Sequence, residues 1–384
     1  MSIKDSIPEL QKEMQKSSID GWLLYDFQGT NTLALPLLGF PKEAHLTRRF
    51  FYWIPKTGTP QKLTHQIESH ILDHLPGDQH NYLSRTSFLE KLSSILKSAK
   101  TISMEYSQEI PTLSKVDGGI IDLIRSFNKI VVSSGALIQP LTSVLTDEQI
   151  ASQKRAASFT SDTVDAAYQW ISKNLPRTIT EIDVKEFILN HFNTQHFVTN
   201  WEPIVATNIH SSLPHHEPSL TPLKKGDFLL LDLGCKELNG IYADITRVAT
   251  LGRPPTKKEA LIFEIVKKAQ VAATEYIANT LNPLGATADQ IARSLIESHG
   301  YGPFFTHRLG HSITDENHGP GANLDSLETN DLRPLLPKTC FTIEPGIYLP
   351  NEFGVRLEYD ILLLSPKNLL ITGGNQQNIN HLSI

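Results

Sequence analysis

Cysteine is scarce, with two residues in a chain of 384. That is too few for the disulfide framework that staples small secreted domains. Long apolar runs are missing as well. The longest uninterrupted ones, such as Phe228 to Leu231 and Ile361 to Leu364, fall far short of the roughly 20 residues a membrane helix needs. No block of Lys and Arg occurs, and 35 basic against 41 acidic side chains leave a formal charge of -6. This argues against nucleic acid or an anionic membrane surface as the partner and favours small or peptide ligands. The N-terminal stretch contains no apolar signal segment, so a cytoplasmic protein is expected. What remains is ordinary globular composition, 40% hydrophobic and 20% charged, over a length that predicts two domains.

Residues 1–145 read as alternating helix and strand, an α/β unit. Ile7, Leu10 and Met14 mark a first helix; Trp22 to Tyr25, Phe50 to Ile54, Ile102 to Tyr106 and Ile130 to Val132 read as strands. A boundary follows, because Thr146 with Gln149 forms a capping-box pattern. Ile150, Ala157, Val164 and Ile171 then recur every seven residues, as one face of a long helix would. In this second domain, 146–384, Thr256 with Glu259 and Thr287 with Gln290 predict two more helix starts. Asp227 to Cys235, Ile241 to Leu251, Cys340 to Leu349 and Val355 to Leu364 predict strands. The expected fold class is α/β (α+β).

Carboxylates interrupt these strands. Asp232 sits in FLLLDLG, a run that otherwise reads as buried on both faces, and a lone buried carboxylate costs several kcal/mol or more unless compensated. Pairing the first two strands around Leu238 puts Asp244 directly opposite Asp232, with Cβ atoms about 5 Å apart. A hairpin about Asn351 likewise places Glu344 opposite Glu358. Exposed acidic residues are common on sheets, but here the flanks are Leu231, Leu233, Ile343 and Leu357. Like charges opposed in a sheet are destabilising, and a cation between them removes the conflict. A metal site is the expected outcome. Between the hairpins, HRLGHSITDENHGPG supplies His307, His311 and His318 among glycines, which permit close backbone approach. His299, standing alone, reads as a surface or satisfied core residue.

Five motifs now stand in order: LPHHEP around His215, LLLDLG with Asp232, GIYADITR with Asp244, HRLGH with His311, and TIEPGIY followed by GVRLEYD with Glu344 and Glu358. Together they resemble the pita-bread metallopeptidases, in the branch of Xaa-Pro aminopeptidase, Xaa-Pro dipeptidase (prolidase) and creatinase. SIDGWLLYDFQGTNTLALPLLGF resembles that branch's creatinase-like N-terminal domain, less sharply. The resemblance implies residues 1–145 as that domain and 146–384 as a pita-bread catalytic domain. It implies two divalent ions bridged by Asp244 and Glu358, with Asp232 on one and His311 and Glu344 on the other. A metal-bound hydroxide would then hydrolyse Xaa-Pro peptide bonds, with Glu344 shuttling the proton. His215 and His318 would hydrogen-bond the substrate carbonyl, His307 would line the cleft, and Arg356 would lie near metal and substrate. Thr246 fits a hydroxyl that steadies a ligand carboxylate.

Oxygen-rich ligands with one nitrogen and no thiolate suit Mn²⁺ first, with Co²⁺, Fe²⁺ or Zn²⁺ as alternatives. Cys235 and Cys340 read as packing residues. The same resemblance implies a homodimer acting on proline-containing peptides. Two other readings compete: a creatinase-like non-peptidase hydrolase that works without metal, and a pita-bread module that binds peptides without catalysis. The complete ligand set disfavours both. Departures from the family pattern are Ser312 where glycine is usual, Gly319 where Glu often follows the second histidine, Asn208 in place of a glycine, and a first hairpin one residue longer than is common. They fall on substrate contacts and leave the ligands intact.

Overall fold

The computed structural model describes residues 3–41, 43–175 and 177–384. Contacts divide the chain into two units, Met1–Thr142 and Ser143–Ile384. The first unit contains α1 (Ile3–Gln15), β1 (Gly21–Asp26), α2 (Ala34–Leu37), β2 (Phe50–Pro55), β3 (Gln61–His65), β4 (Asp78–Tyr82), α3 (Arg85–Ile95), β5 (Thr101–Met104), α4 (Gly118–Ser126), β6 (Ile130–Ser133) and α5 (Gly135–Thr142). Its strands form one mixed sheet in the order β4-β3-β2-β1-β5-β6. Alternation along β1 explains why the sheet is covered on both faces. Trp22 and Leu24 enter one core and Leu23 and Tyr25 the other. The strand expected through Tyr106 ends earlier, at Met104, because the Tyr106 N–H turns back onto the Met104 carbonyl at 2.7 Å.

The second unit opens with α6 (Asp147–Asn174), capped by Thr146 and Gln149 in a reciprocal box. There follow α7 (Glu181–Thr194), β7 (Phe197–Val198), β8 (Ile204–Thr207), β9 (Phe228–Glu237), β10 (Ala243–Leu251), α8 (Lys257–Asn279), α9 (Gly285–Ser298) and β11 (Ser312–Ile313). The chain closes with β12 (Thr339–Ile343), β13 (Gly346–Tyr348), β14 (Gly354–Arg356), β15 (Tyr359–Ser365), β16 (Asn368–Thr372) and β17 (Asn380–Leu382). One sheet runs β17-β10-β9-β7, with β8 also on β9; a second runs β11-β12-β15-β16; β13 and β14 form a two-stranded ribbon. Helices cover the β9–β10 hairpin on both sides. Leu229, Leu231, Leu233 and Ile245 pack with residues of α6 and α7, whereas Phe228, Leu230 and Val248 join the core under α8 and α9.

Three expectations need correction. Thr256 caps α8 with Glu259 as expected, but Thr287 lies inside α9, whose N-cap is Leu284. That start is set by tertiary contacts. Leu284 bridges to Pro334, and a Cβ at Gly285 would come within 2.0 Å of the Asn323 carbonyl. The first hairpin is shifted in register: Asp244 pairs with Gly234 and Asp232 with Thr246. Ile241 and Tyr242 are drawn out of the ladder, their N–H groups donating to Ser152 Oγ at 3.3 Å and the Thr314 carbonyl at 3.0 Å. Meanwhile Lys236 and Glu237 extend β9 to pair with β7. Finally, the two long C-terminal strands are each broken, between β12 and β13 and between β14 and β15. Both flanking ladders keep the register about Asn351, so Glu344 and Glu358 face each other across the interruption.

Candidate metal centre

The inward face of β9 reads Phe228, Leu230, Asp232, and that of β10 reads Val248, Thr246, Asp244. The sheet face is apolar over the helical core and becomes acidic beyond it. Asp232 and Asp244 are diagonal neighbours on that face. Gly234 makes room for them, since a Cβ there would sit 2.6 Å from the Ala243 carbonyl and 3.2 Å from Asp244 Oδ1. Glu344 and Glu358 come from the interruption in the second pair of strands. His311 reaches the same place because Gly310 lets the backbone lie against β12, where a Cβ would be 2.1 Å from the Thr342 carbonyl. The His311 N–H then donates to Thr342 Oγ1 at 3.0 Å.

His311 Nε2 lies 3.4 Å from Glu344 Oε1 and 3.9 Å from Asp244 Oδ2. One ligand atom each from Asp244, His311 and Glu358 fall within 4.8 Å of one another. Asp232, Asp244, His311 and Glu358 are buried and Glu344 largely so. Burial first, and then the neighbouring carboxylates, push the Asp244 and Glu358 carboxyls well above their usual range. Burial raises Asp232 against the opposing pull of Arg356 and lifts Glu344 to about 7. His311 is held well below its usual value, by burial and then by His318. Among the described residues, Asp232 Oδ1 and Asp244 Oδ1 are buried without a hydrogen-bond partner. Mutual repulsion, orphaned carboxylate oxygens and a neutral imidazole together make a donor set that fits divalent cations.

Hydrogen bonds fix these groups from behind. Thr246 Oγ1 donates to Glu358 Oε2 at 2.6 Å, so it steadies Glu358 and not its strand neighbour Asp244. Asn317 Nδ2 donates to Asp244 Oδ2 at 2.9 Å. The Arg356 guanidinium pairs with Asp232 and donates to Thr246 Oγ1 at 3.0 Å, Tyr348 Oη at 2.9 Å and the Pro214 carbonyl at 3.2 Å.

All nine residues expected at the site, Asp232, Asp244, His311, Glu344, Glu358, His215, His307, His318 and Arg356, line one cavity of about 580 Å³. His318 packs on His311 with ring centroids 4.1 Å apart, and burial followed by Arg308 brings its pKa down to about 4. Both nitrogens of His307 are taken, Nδ1 by the Arg308 carbonyl and Nε2 by Tyr348 Oη, each at 2.7 Å. It forms wall and not a free donor. Of the two readings of His299 the surface one holds, since it is exposed, and both cysteines are buried. Sequence reasoning missed Tyr348, Asn317 and Trp201. Tyr348 belongs to the TIEPGIY motif and Asn317 directly precedes His318, so both were within reach; Trp201 carried no signal.

The departures have local explanations. Asn208 adopts φ 45°, a left-handed conformation that Asn tolerates best after glycine. Thr314 and Ser312 crowd the glycines of this loop: a Cβ at 319 would sit 2.9 Å from Thr314 and 3.2 Å from Ser312 Oγ, and one at Gly321 would sit 2.3 Å from Ser312 Oγ.

Residues 151–364 match the model of metallopeptidase family M24, and the chain belongs to this family. The Xaa-Pro dipeptidase of Pyrococcus furiosus is 31% identical over 281 residues, which cover 71% of this chain and 74% of that protein. A putative Xaa-Pro aminopeptidase of Mycoplasma genitalium is 32% identical over 196 residues, or 50% and 53% of the two chains. The chain spans between 45% and 64% of the length of three such curated relatives. A prolidase structure from Thermococcus sibiricus superposes with a TM-score of 0.66 at 23% identity, covering 100% of both chains. The pita-bread fold and its N-terminal α/β unit are therefore the architecture of this protein. Among the described residues no helix is long and apolar enough to cross a membrane.

Proposed function

We propose that this metallopeptidase hydrolyses Xaa-Pro peptide bonds with two divalent ions, Mn²⁺ first among them. The supporting observation is the convergence of four buried or near-buried carboxylates and His311 on one cavity. Asp244 and Glu358 would be shared between the ions, Asp232 would hold one, and His311 with Glu344 the other. When bound, the ions acidify water to a nucleophilic hydroxide near neutral pH and polarise the scissile carbonyl. Glu344, whose Oε1 lies 3.4 Å from His311 Nε2 in the same cluster, would take the proton of the attacking water and pass it to the leaving nitrogen. His215 and His318 donate to the carbonyl as its oxygen gains charge. Four carboxylates balance two dications, and Arg356 on Asp232 offsets the charge of the hydroxide. Peptide binding without hydrolysis, or a metal-free creatinase-like reaction, leaves that acidic cluster without a purpose.

The test is metal analysis beside an assay of Ala-Pro and Ala-Ala substrates. About two ions per chain, loss of activity on chelation, recovery with Mn²⁺ or Co²⁺, and preference for Ala-Pro are expected. No bound metal under saturating conditions, or equal turnover of both substrates, refutes the reading. Xaa-Pro dipeptides run beside Xaa-Pro-Yaa tripeptides distinguish dipeptidase from aminopeptidase. The enzyme is further proposed to act in the cytoplasm as a homodimer. Light scattering should then give twice the chain mass of 42.9 kDa, and a monomer at micromolar concentration counts against it.

A further inference from the structure

A second cluster of histidine and carboxylate lies apart from the proposed ligands. Glu181 opens α7 directly after its cap Thr180 and is fully buried. Its Oε1 accepts from the Thr207 N–H and Thr207 Oγ1, both at 2.9 Å, and meets His210 Nδ1 at 2.8 Å. Its Oε2 meets His216 Nε2 at 2.9 Å and accepts from the Ser219 N–H at 3.1 Å and Ser219 Oγ at 2.9 Å. The two imidazoles stack with centroids 4.2 Å apart. Three partners on each oxygen leave no lone pair for a cation, and these nitrogen–oxygen distances are those of hydrogen bonds. The cluster is a clasp, and metal binding is not its purpose.

What it clasps is the segment 207–219. His215 stands in that segment and lines the catalytic cavity, and among the described residues its ring has no hydrogen-bond partner. Its neighbours are all tied. His216 and Ser219 are held by Glu181, the Pro214 carbonyl by Arg356, and Ser211 Oγ by the Gly354 N–H at 2.9 Å. Burial pushes the Glu181 carboxyl up, but donation from His216, His210, Thr207 and Ser219 outweighs it and keeps the group ionised. A charged acceptor with six donors binds them more strongly than a neutral one would.

We infer that Glu181 is a positioning residue of the catalytic site, whose carboxylate fixes the loop that aims His215 at the scissile carbonyl. This rests on the role proposed above for His215. A Gln at 181 replaces one acceptor oxygen with an NH₂ group and so must release the donors on that side. Misplacing a catalytic group by about 1 Å costs on the order of 10²-fold in rate.

The experiment is a double-mutant cycle on the full-length, metal-loaded enzyme with an Ala-Pro substrate. It uses Glu181→Gln, His215→Ala and their combination, each with metal content, Tm, kcat and KM. Glu181→Gln is expected to keep its metal and lose about 10- to 100-fold in kcat, with little change in KM. In the His215→Ala background the same substitution should cost less than about twofold, because coupled groups are non-additive. A purely structural role would lower Tm and act equally in both backgrounds, which overturns the inference, as does unchanged kcat in Glu181→Gln. If His215→Ala alone loses no kcat, the reading of His215 fails, and the clasp's role fails with it. Should Glu181→Gln fail to fold, Thr207→Val and Ser219→Ala each remove one hydroxyl donor and enter the same cycle. Smaller losses that vanish in the His215→Ala background support the clasp, and additive losses overturn it.

Discussion

Replacing Asp244 or Glu358 by alanine is expected to reduce bound metal well below two ions per chain. It should also lower kcat/KM by more than the about 10- to 100-fold that losing an outer hydrogen-bond partner costs. Each is proposed to serve both ions, so its loss strips donors from both at once. Each is also held in place by a dedicated donor, Asn317 for Asp244 and Thr246 for Glu358, whose hydrogen would lose that acceptor. The remaining buried carboxylates would then repel one another around a poorly held ion, so stability should fall with occupancy. His215→Ala and His318→Ala should behave differently. Both metals should stay, and kcat should fall by about 10²- to 10³-fold, the cost of one preorganised donor. Metal content and kinetics on the same four variants decide it. Metal loss in His318→Ala would move that ring, already packed on His311, into the ligand set; unchanged kcat in both histidine variants would remove them from the reaction.

The second large effect is on stability as a function of pH once metal is stripped. Glu344 is raised to about 7, while Asp232, Asp244 and Glu358 are also raised, chiefly by burial. A carboxyl whose folded-state value lies above its unfolded one contributes its full stability below the unfolded value. That contribution is lost as pH rises through the folded value. The buried His311, His318 and His307, all held below their usual values, act in the opposite direction below about pH 6.5 with or without metal. The expected result is therefore a difference: relative to the metal-loaded enzyme, the chelated protein should lose stability between pH 5 and pH 8. Glu344 alone accounts for on the order of 3 kcal/mol, or roughly 6 to 12 °C in Tm for a unit of this size. With metal bound, the carboxylates are stabilised as anions and this slope should largely vanish. Glu105, in the first unit, is also lifted to about 7, by burial against the donors Trp22, Asn31 and Ser134. It contributes equally with and without metal, so the difference between the two melting series isolates the centre. A stability gap between the chelated and loaded forms that is the same at pH 8 as at pH 5 would sink the prediction.

Local features of the fold were legible and long-range ones were not. The caps of α6 and α8 are written in four consecutive residues each, and the register about Asn351 survived because the ladders on both sides obey it. The first hairpin slipped by two residues because Ser152 and Thr314, distant in sequence, pull Ile241 and Tyr242 out of the ladder. Helix α7 was within reach, since Val184, Ile188 and Phe192 recur every four residues behind the Thr180–Asp183 cap, whereas the polar strands β3 and β4 carry too few apolar residues to show a period. The motifs led to the ligand candidates because Asp232, Glu344 and Glu358 stand among apolar flanks and His311 among glycines. Glu181 could not be found that way, since its partners are spread from Thr207 to Ser219 and meet only in three dimensions.

The crowding around positions 312, 319 and 321 has a consequence for any comparison with relatives. A Cβ at 319 would meet Thr314 at 2.9 Å and Ser312 Oγ at 3.2 Å, and one at 321 would meet Ser312 Oγ at 2.3 Å. These sites are epistatic: a glutamate placed at 319 alone would meet Thr314 and Ser312, and pairing it with Ser312→Gly would relieve the 3.2 Å contact while leaving Thr314 at 2.9 Å. Divergence along this loop is therefore coupled, and a side chain at 319 needs accommodation at 314 as well as at 312.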